Sequence, residues 1–172
     1  HQALSISEDP LEIWNLLGME HLLAEEFKEA SFFFKNCLDE NPEDYPSLYN
    51  LLHCHEQLGQ VESAISCLNK VLEYNPYSEI AWIQLGKILF KSGKIKEALS
   101  AFDFAIISDD SFSGAYIEKG ILLESIGRIN EAIENYEVAM KTNDPTSFIH
   151  KCLGRCHESL GNYELAQKFY IK

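Results

Sequence analysis

Apolar residues recur along this chain at helical spacing, and the stripes they form recur every 34 residues. Written in rows beginning at Leu11, Tyr45, Glu79, Ser113 and Ser147, the sequence aligns without a gap. Place four reads Trp14, Leu48, Trp82, Tyr116, His150, and place seven reads Leu17, Leu51, Leu85, Lys119, Leu153. Place eight is Gly18, Leu52, Gly86, Gly120 and Gly154. Further on, place twenty is always alanine, from Ala30 to Ala166, and place twenty-four is Phe34, Leu68, Phe102, Tyr136 and Tyr170. Places four, seven, eight and eleven share one helix face. The small residues at places eight and twenty mark where two helices cross closely.

Turn residues divide each row in two. Gly59, Gly93, Gly127 and Gly161 recur at the same interval and end a first helix, because glycine takes a left-handed conformation cheaply. The first row has Glu25 in that place, so its turn is expected to be tighter in its requirements or locally strained. Asn41-Pro42 and Asn75-Pro76 close second helices, since the residue before proline avoids helical geometry. Asp144-Pro145 does the same a single place later, while Ser108-Asp109-Asp110 lacks the proline. The phase predicts first helices near residues 11–24, 45–58, 79–92, 113–126 and 147–160. A lone helix pair cannot cover its stripe, so neighbouring pairs must stack.

These rows resemble the tetratricopeptide repeat family, whose pattern is W-x2-L-G-x2-Y, then A-x3-F, then P. Trp14-Asn-Leu-Leu17-Gly18 fits it, as do Trp82-Ile-Gln-Leu85-Gly86 and Ala98-Leu-Ser-Ala-Phe102. The resemblance covers Leu11 to Lys172. It implies an all-α fold, a right-handed superhelical solenoid of antiparallel helix pairs, whose first helices line a concave groove for peptides and protein segments. Repeats are expected at 11–44, 45–78, 79–112, 113–146 and 147–172, the last truncated. Residues 1–10 read as the tail of a preceding repeat. The whole reads as a fragment of a longer array whose repeats suggest a bacterial protein. The family's aromatic at place eleven is replaced by His21, His55, Leu89, Leu123 and His157. Each histidine is expected to be partly buried and hydrogen-bonded to a neighbour.

Charge narrows the partners. Fourteen Lys and Arg against 27 Asp and Glu give a formal net charge of −13, which repels nucleic acid. Residues 1–44 hold 11 acidic and 2 basic groups, while residues 147–172 hold 2 acidic and 4 basic groups. No run of 18 apolar residues is present, so no membrane span or direct membrane contact is expected. Five cysteines without framework spacing point to buried thiols in a reducing compartment, the cytoplasm.

Catalytic chemistry finds little support. Glu25-Glu26 and Glu40-Glu43-Asp44 sit in or beside turns and read as solvated charge, and no glycine-rich phosphate loop precedes a lysine. His150, Cys152, Cys156 and His157 include zinc-type ligands, but the two histidines lie in the packing stripe and the two cysteines on another face. His53-Cys54-His55 diverges in the same way. No catalytic, cofactor or metal residues are therefore assigned, and the chain is not expected to be an enzyme.

The face bearing places two, five, nine and twelve is the one that the resemblance assigns to the groove. It carries Met19, Leu22, Tyr49, His53, Ile80, Ile83, Lys87, Phe90, Ile117, Ile121, Phe148, Lys151 and Arg155. Some of these, especially at place five, have an alternative role in packing between adjacent first helices. A family subgroup grips chaperone C-terminal carboxylates with a Lys/Asn clamp; only Asn50 matches here, which disfavours that use. The expected function is a protein–protein interaction scaffold holding an extended or helical segment. The alternative is a structural spacer in a larger protein, with any enzymatic activity in a domain outside this chain.

Overall fold

The computed structural model describes residues 9–142 and 147–171, and all of its regular elements are helices. In chain order these are α1 (Pro10–Leu23), α2 (Phe27–Glu40), α3 (Tyr45–Gln57), α4 (Val61–Tyr74) and α5 (Glu79–Lys91), then α6 (Ile95–Ser108), α7 (Ser113–Ser125), α8 (Ile129–Thr142), α9 (Ser147–Ser159) and α10 (Tyr163–Tyr170). They form antiparallel pairs joined by short turns. Two compact units divide between Tyr74 and Asn75, one holding α1–α4 and the other α5–α10.

The helix starts have local causes. Asp9 caps α1 by accepting a hydrogen bond from the Leu11 backbone N–H at 3.1 Å, and Pro10 opens the helix where its missing N–H costs nothing. Asp9 and Pro10 thus serve the start of α1; the rest of the expected preceding tail lies outside the described residues. Ser78 caps α5 through the Ala81 N–H at 3.3 Å.

The second helices close by a device more general than proline. Asn41 Oδ1 accepts from the Glu43 N–H at 3.1 Å, and Asn75 Oδ1 accepts from the Tyr77 N–H at 3.1 Å. Asp109, where no proline follows, accepts from both the N–H and the hydroxyl of Ser111, at 2.9 and 2.6 Å. A short polar side chain that bonds two residues ahead makes an Asx turn, and this turn needs no proline. Asp144-Pro145 lies outside the described residues. In the turns between paired helices, Glu25 has φ 59°, against 66–78° for the four glycines at the equivalent place. A Cβ in that region is strained, so the expected local cost in the first row is present.

The crossing inside each pair is set by a glycine and a ring. A Cβ on Gly18 would stand 2.7 Å from the Phe34 ring, one on Gly86 2.5 Å from Phe102, and one on Gly120 2.6 Å from Tyr136. Gly154 faces Tyr170 more closely still. The row beginning at Tyr45 has Leu52 and Leu68 in these two places, and α3 and α4 pack less closely than the other four pairs. Bulk on the first helix and loss of the flat ring on the second remove the fit that draws a pair together.

Candidate functional site

The first-helix face divides into positions that pack and positions that face solvent. Place five packs. Asn15 Oδ1 accepts from the Ser47 hydroxyl at 2.8 Å, joining α1 to the buried third place of α3. In the second unit, Ile83 is only 7% exposed and packs with Ala105 and Ala115, while Ile117 lies against the cluster containing Ile149 and Leu153. Ile83 therefore belongs to the core rather than to an open groove face.

Other positions stay accessible. On α1 and α3, Met19, Tyr49 and His53 are exposed and Leu22 is half-buried. Asn50 donates to the Met19 sulfur at 3.4 Å, and His53 meets Phe27 edge-on at 5.9 Å. On α5, α7 and α9, Ile80, Phe90 and Ile121 are half-buried, while Phe148 is 47% exposed and Lys151 is exposed.

Two of the three cations expected on this face already have partners. Lys87 Nζ lies 3.2 Å from Glu118, joining α5 to α7. Arg155 donates to both oxygens of Glu124, at 2.9 and 3.1 Å, joining α7 to α9. This hydrogen-bonded carboxylate holds the guanidinium pKa above its ordinary value. Lys151 has no ion pair among the described residues.

Glu118 and Glu124 are the residues that sequence reasoning missed, and for Glu124 a signal was present. Tyr136 donates its hydroxyl to Glu124 at 3.0 Å, and Tyr170 donates to Glu158 at 2.8 Å. These pairs are places twenty-four and twelve of one row. Where place twenty-four is Phe34 or Phe102, place twelve is Leu22 or Phe90; where it is tyrosine, place twelve is glutamate. Burial raises the Tyr136 phenol, with the nearby Cys152 and Glu124 adding to it, so the hydroxyl stays protonated and keeps a proton to donate to Glu124.

The histidines and thiols are structural. His21 Nδ1 lies 2.6 Å from Glu26, and its ring stacks on Phe33 at 5.3 Å; His55 Nδ1 lies 3.0 Å from Gln60. His157 departs from expectation: it is buried and stacks on Phe169 at 5.4 Å, but its Nδ1 has no hydrogen-bond partner. The residue five ahead is Asn162, one methylene shorter than Gln60 or Glu26. All five cysteines are free. Burial raises the Cys152 thiol and pushes Cys156 up to about 12, so both are poor nucleophiles and poor metal ligands. Among the described residues no three His, Cys, Asp or Glu side chains are grouped to hold a metal ion, and no helix is long and apolar enough to cross a membrane.

A repeated helix pair, locked in four of the five rows by a glycine–ring crossing, defines a helical-repeat fold. The chain belongs to the tetratricopeptide repeat family: tetratricopeptide repeat models match residues 83–148 and 153–172. The model of subunit 3 of the anaphase-promoting complex, cyclosome, matches residues 21–105. Over 107 residues the chain is 31% identical to the tetratricopeptide repeat and J domain-containing co-chaperone DNJ1 of Fusarium oxysporum f. sp. lycopersici. That match takes in 60% of this chain and spans 20% of the length of the co-chaperone.

Solved structures share the fold. MamA (residues 41 to the end) from Desulfovibrio magneticus RS-1 is 20% identical with a TM-score of 0.73, covering 95% of this chain and 92% of that one. A thermophilic tetratricopeptide repeat protein of Thermus thermophilus is 21% identical with a TM-score of 0.68, covering 94% and 88%. PilF of Pseudomonas aeruginosa is 15% identical with a TM-score of 0.77, covering 94% and 74%. The fold is generally a scaffold for protein–protein interaction, and domains of this kind are typically non-catalytic.

Proposed function

We propose that the first-helix face of α5, α7 and α9 binds an apolar segment of a partner protein. The observation that carries this reading is the contrast on that face: its charges pair with one another while Phe148, Phe90 and Ile121 keep apolar surface toward solvent. A face with internally paired charge gains little from an acidic ligand, and removing apolar area from water supplies the main favourable contribution. Lys151 remains to orient an acidic residue at the edge of the segment. The co-chaperone relative is consistent with a protein-binding role, and the free thiols support a reducing compartment such as the cytoplasm.

Peptides selected by phage display on the 172-residue chain test the assignment. Enriched sequences should be apolar, and Phe148→Asp should weaken binding about tenfold or more, since an exposed anchor can be lost without unfolding the core. Phe32→Asp, on the second-helix side at a residue 61% exposed, should leave binding unchanged. If Phe32→Asp abolishes binding and Phe148→Asp does not, the working face is the other one.

A further inference from the structure

The loosely packed α3–α4 pair leaves a cleft in the first unit, with a volume of about 580 Å³. Leu38 of α2, Leu51 of α3 and Val71 of α4 form its apolar floor, and Ser66 and Cys67 of α4 form one wall. Its origin is legible in the row beginning at Tyr45, whose leucines replace the glycine–ring crossing and let α4 stand off from α3. The volume lies in the range of small-molecule sites.

The charges at its mouth are unusual for this stretch of the chain. Residues 1–74 contain 14 acidic side chains and three basic ones, Lys28, Lys35 and Lys70. Two of those three lysines line the cleft. Lys70 is loosely held, 3.9 Å from Asp39 across the mouth, and Lys35 has no hydrogen bond or ion pair among the described residues. Glu62 and His55 also line the cleft, but Glu62 has a partner and His55 is bound to Gln60. The mouth thus sets two lysines beside Asp39 and Glu62, and Lys35 is the charge among them with no hydrogen bond or ion pair among the described residues. Burial pushes the Cys67 thiol up to about 11, with Lys70 and Lys35 opposing the shift and Asp39 adding to it.

We infer that the cleft between α2, α3 and α4 binds a small apolar carboxylate, with its hydrocarbon body against Leu38, Leu51 and Val71 and its anionic head between Lys35 and Lys70. This site is separate from the first-helix face proposed for a partner protein and does not depend on it. A neutral molecule of the same shape would fill the floor and leave the lysines unused. A purely polar anion would lack the apolar contact.

Titration of the ¹⁵N-labelled 172-residue chain with octanoate, followed by amide chemical shifts, is the test. Saturable one-to-one shifts should localise to the amides around Lys35, Leu38, Ser66 and Cys67. Lys35→Met and Lys70→Met should each weaken binding roughly three- to fivefold, the range of an exposed ion pair. Octanol should bind more weakly than octanoate. Ser66→Trp, at an exposed helix position, should fill the cleft and abolish the shifts while circular dichroism stays unchanged. Non-saturable shifts, shifts that persist in Ser66→Trp, or equal binding of octanol with no effect of either lysine would overturn the inference. Loss of binding in Phe148→Asp would also count against it, because that residue lies in the other unit.

Discussion

Replacing Asn162 by glutamine should stabilise the protein by completing a bond that two other rows already make. His21 and His55 each engage the side chain five residues ahead through Nδ1, at 2.6 and 3.0 Å, while the buried His157 Nδ1 has nothing within reach. Glutamine adds the one methylene that separates Asn162 from Gln60. Its amide can accept from or donate to the ring nitrogen, so either tautomer is served. Asn162 precedes α10 but makes no side-chain capping bond, so no existing contact is lost. An unsatisfied buried polar atom costs about 1–3 kcal/mol, and immobilising a longer side chain takes back a fraction of that. The net gain should be about 1 kcal/mol. Repeat arrays need not unfold in one step, so the readout is amide hydrogen exchange in α9 and α10 alongside urea unfolding. Protection there should rise about fivefold. The reverse change, Gln60→Asn, should destabilise α3 and α4 by less, because that bond is open to water. Unchanged or lower protection in Asn162→Gln would refute the reasoning, since His157 would then have to be satisfied by other means.

Three further outcomes follow from the same geometry. Glu124→Leu alone should cost about 1–3 kcal/mol by stranding Tyr136 and Arg155, whereas Glu124→Leu with Tyr136→Phe should recover some of it; a double-mutant cycle in urea unfolding reads the coupling. Glu25→Gly should stabilise the first unit by about 1 kcal/mol, measured by thermal unfolding, because it relieves the left-handed backbone at φ 59°. Hydrogen bonds from the Ser111 hydroxyl and N–H lower the Asp109 carboxyl below its ordinary value, so its contribution is present above about pH 4 and is lost as pH falls through the lowered value. Asp109→Asn should keep the turn, as Asn41 and Asn75 do, and flatten the stability curve below about pH 4.

The 34-residue phase by itself determined the order of the helices among the described residues and the places of the first helix of each pair, because each pair is a local unit whose stripe, crossing and turn lie within one row. The glycine–ring crossing was legible as a small residue at place eight and an aromatic at place twenty-four, and its loss at Leu52 and Leu68 was visible before its consequence was. The strained Glu25 turn was legible too, since only the missing glycine had to be noticed. Contacts between rows were what only the tertiary structure decided. Whether Ile83 faces solvent depends on what the neighbouring first helix presents, and Ala105 and Ala115 cover it. Whether Lys87 and Arg155 are free depends on Glu118 and Glu124, 31 residues away in each case, reached through the stacking angle of first helices. Periodicity fixes the direction of a side chain around its own helix axis. It carries no information on the distance to the next helix, and that distance separates a buried isoleucine from an exposed one and a paired cation from a free one.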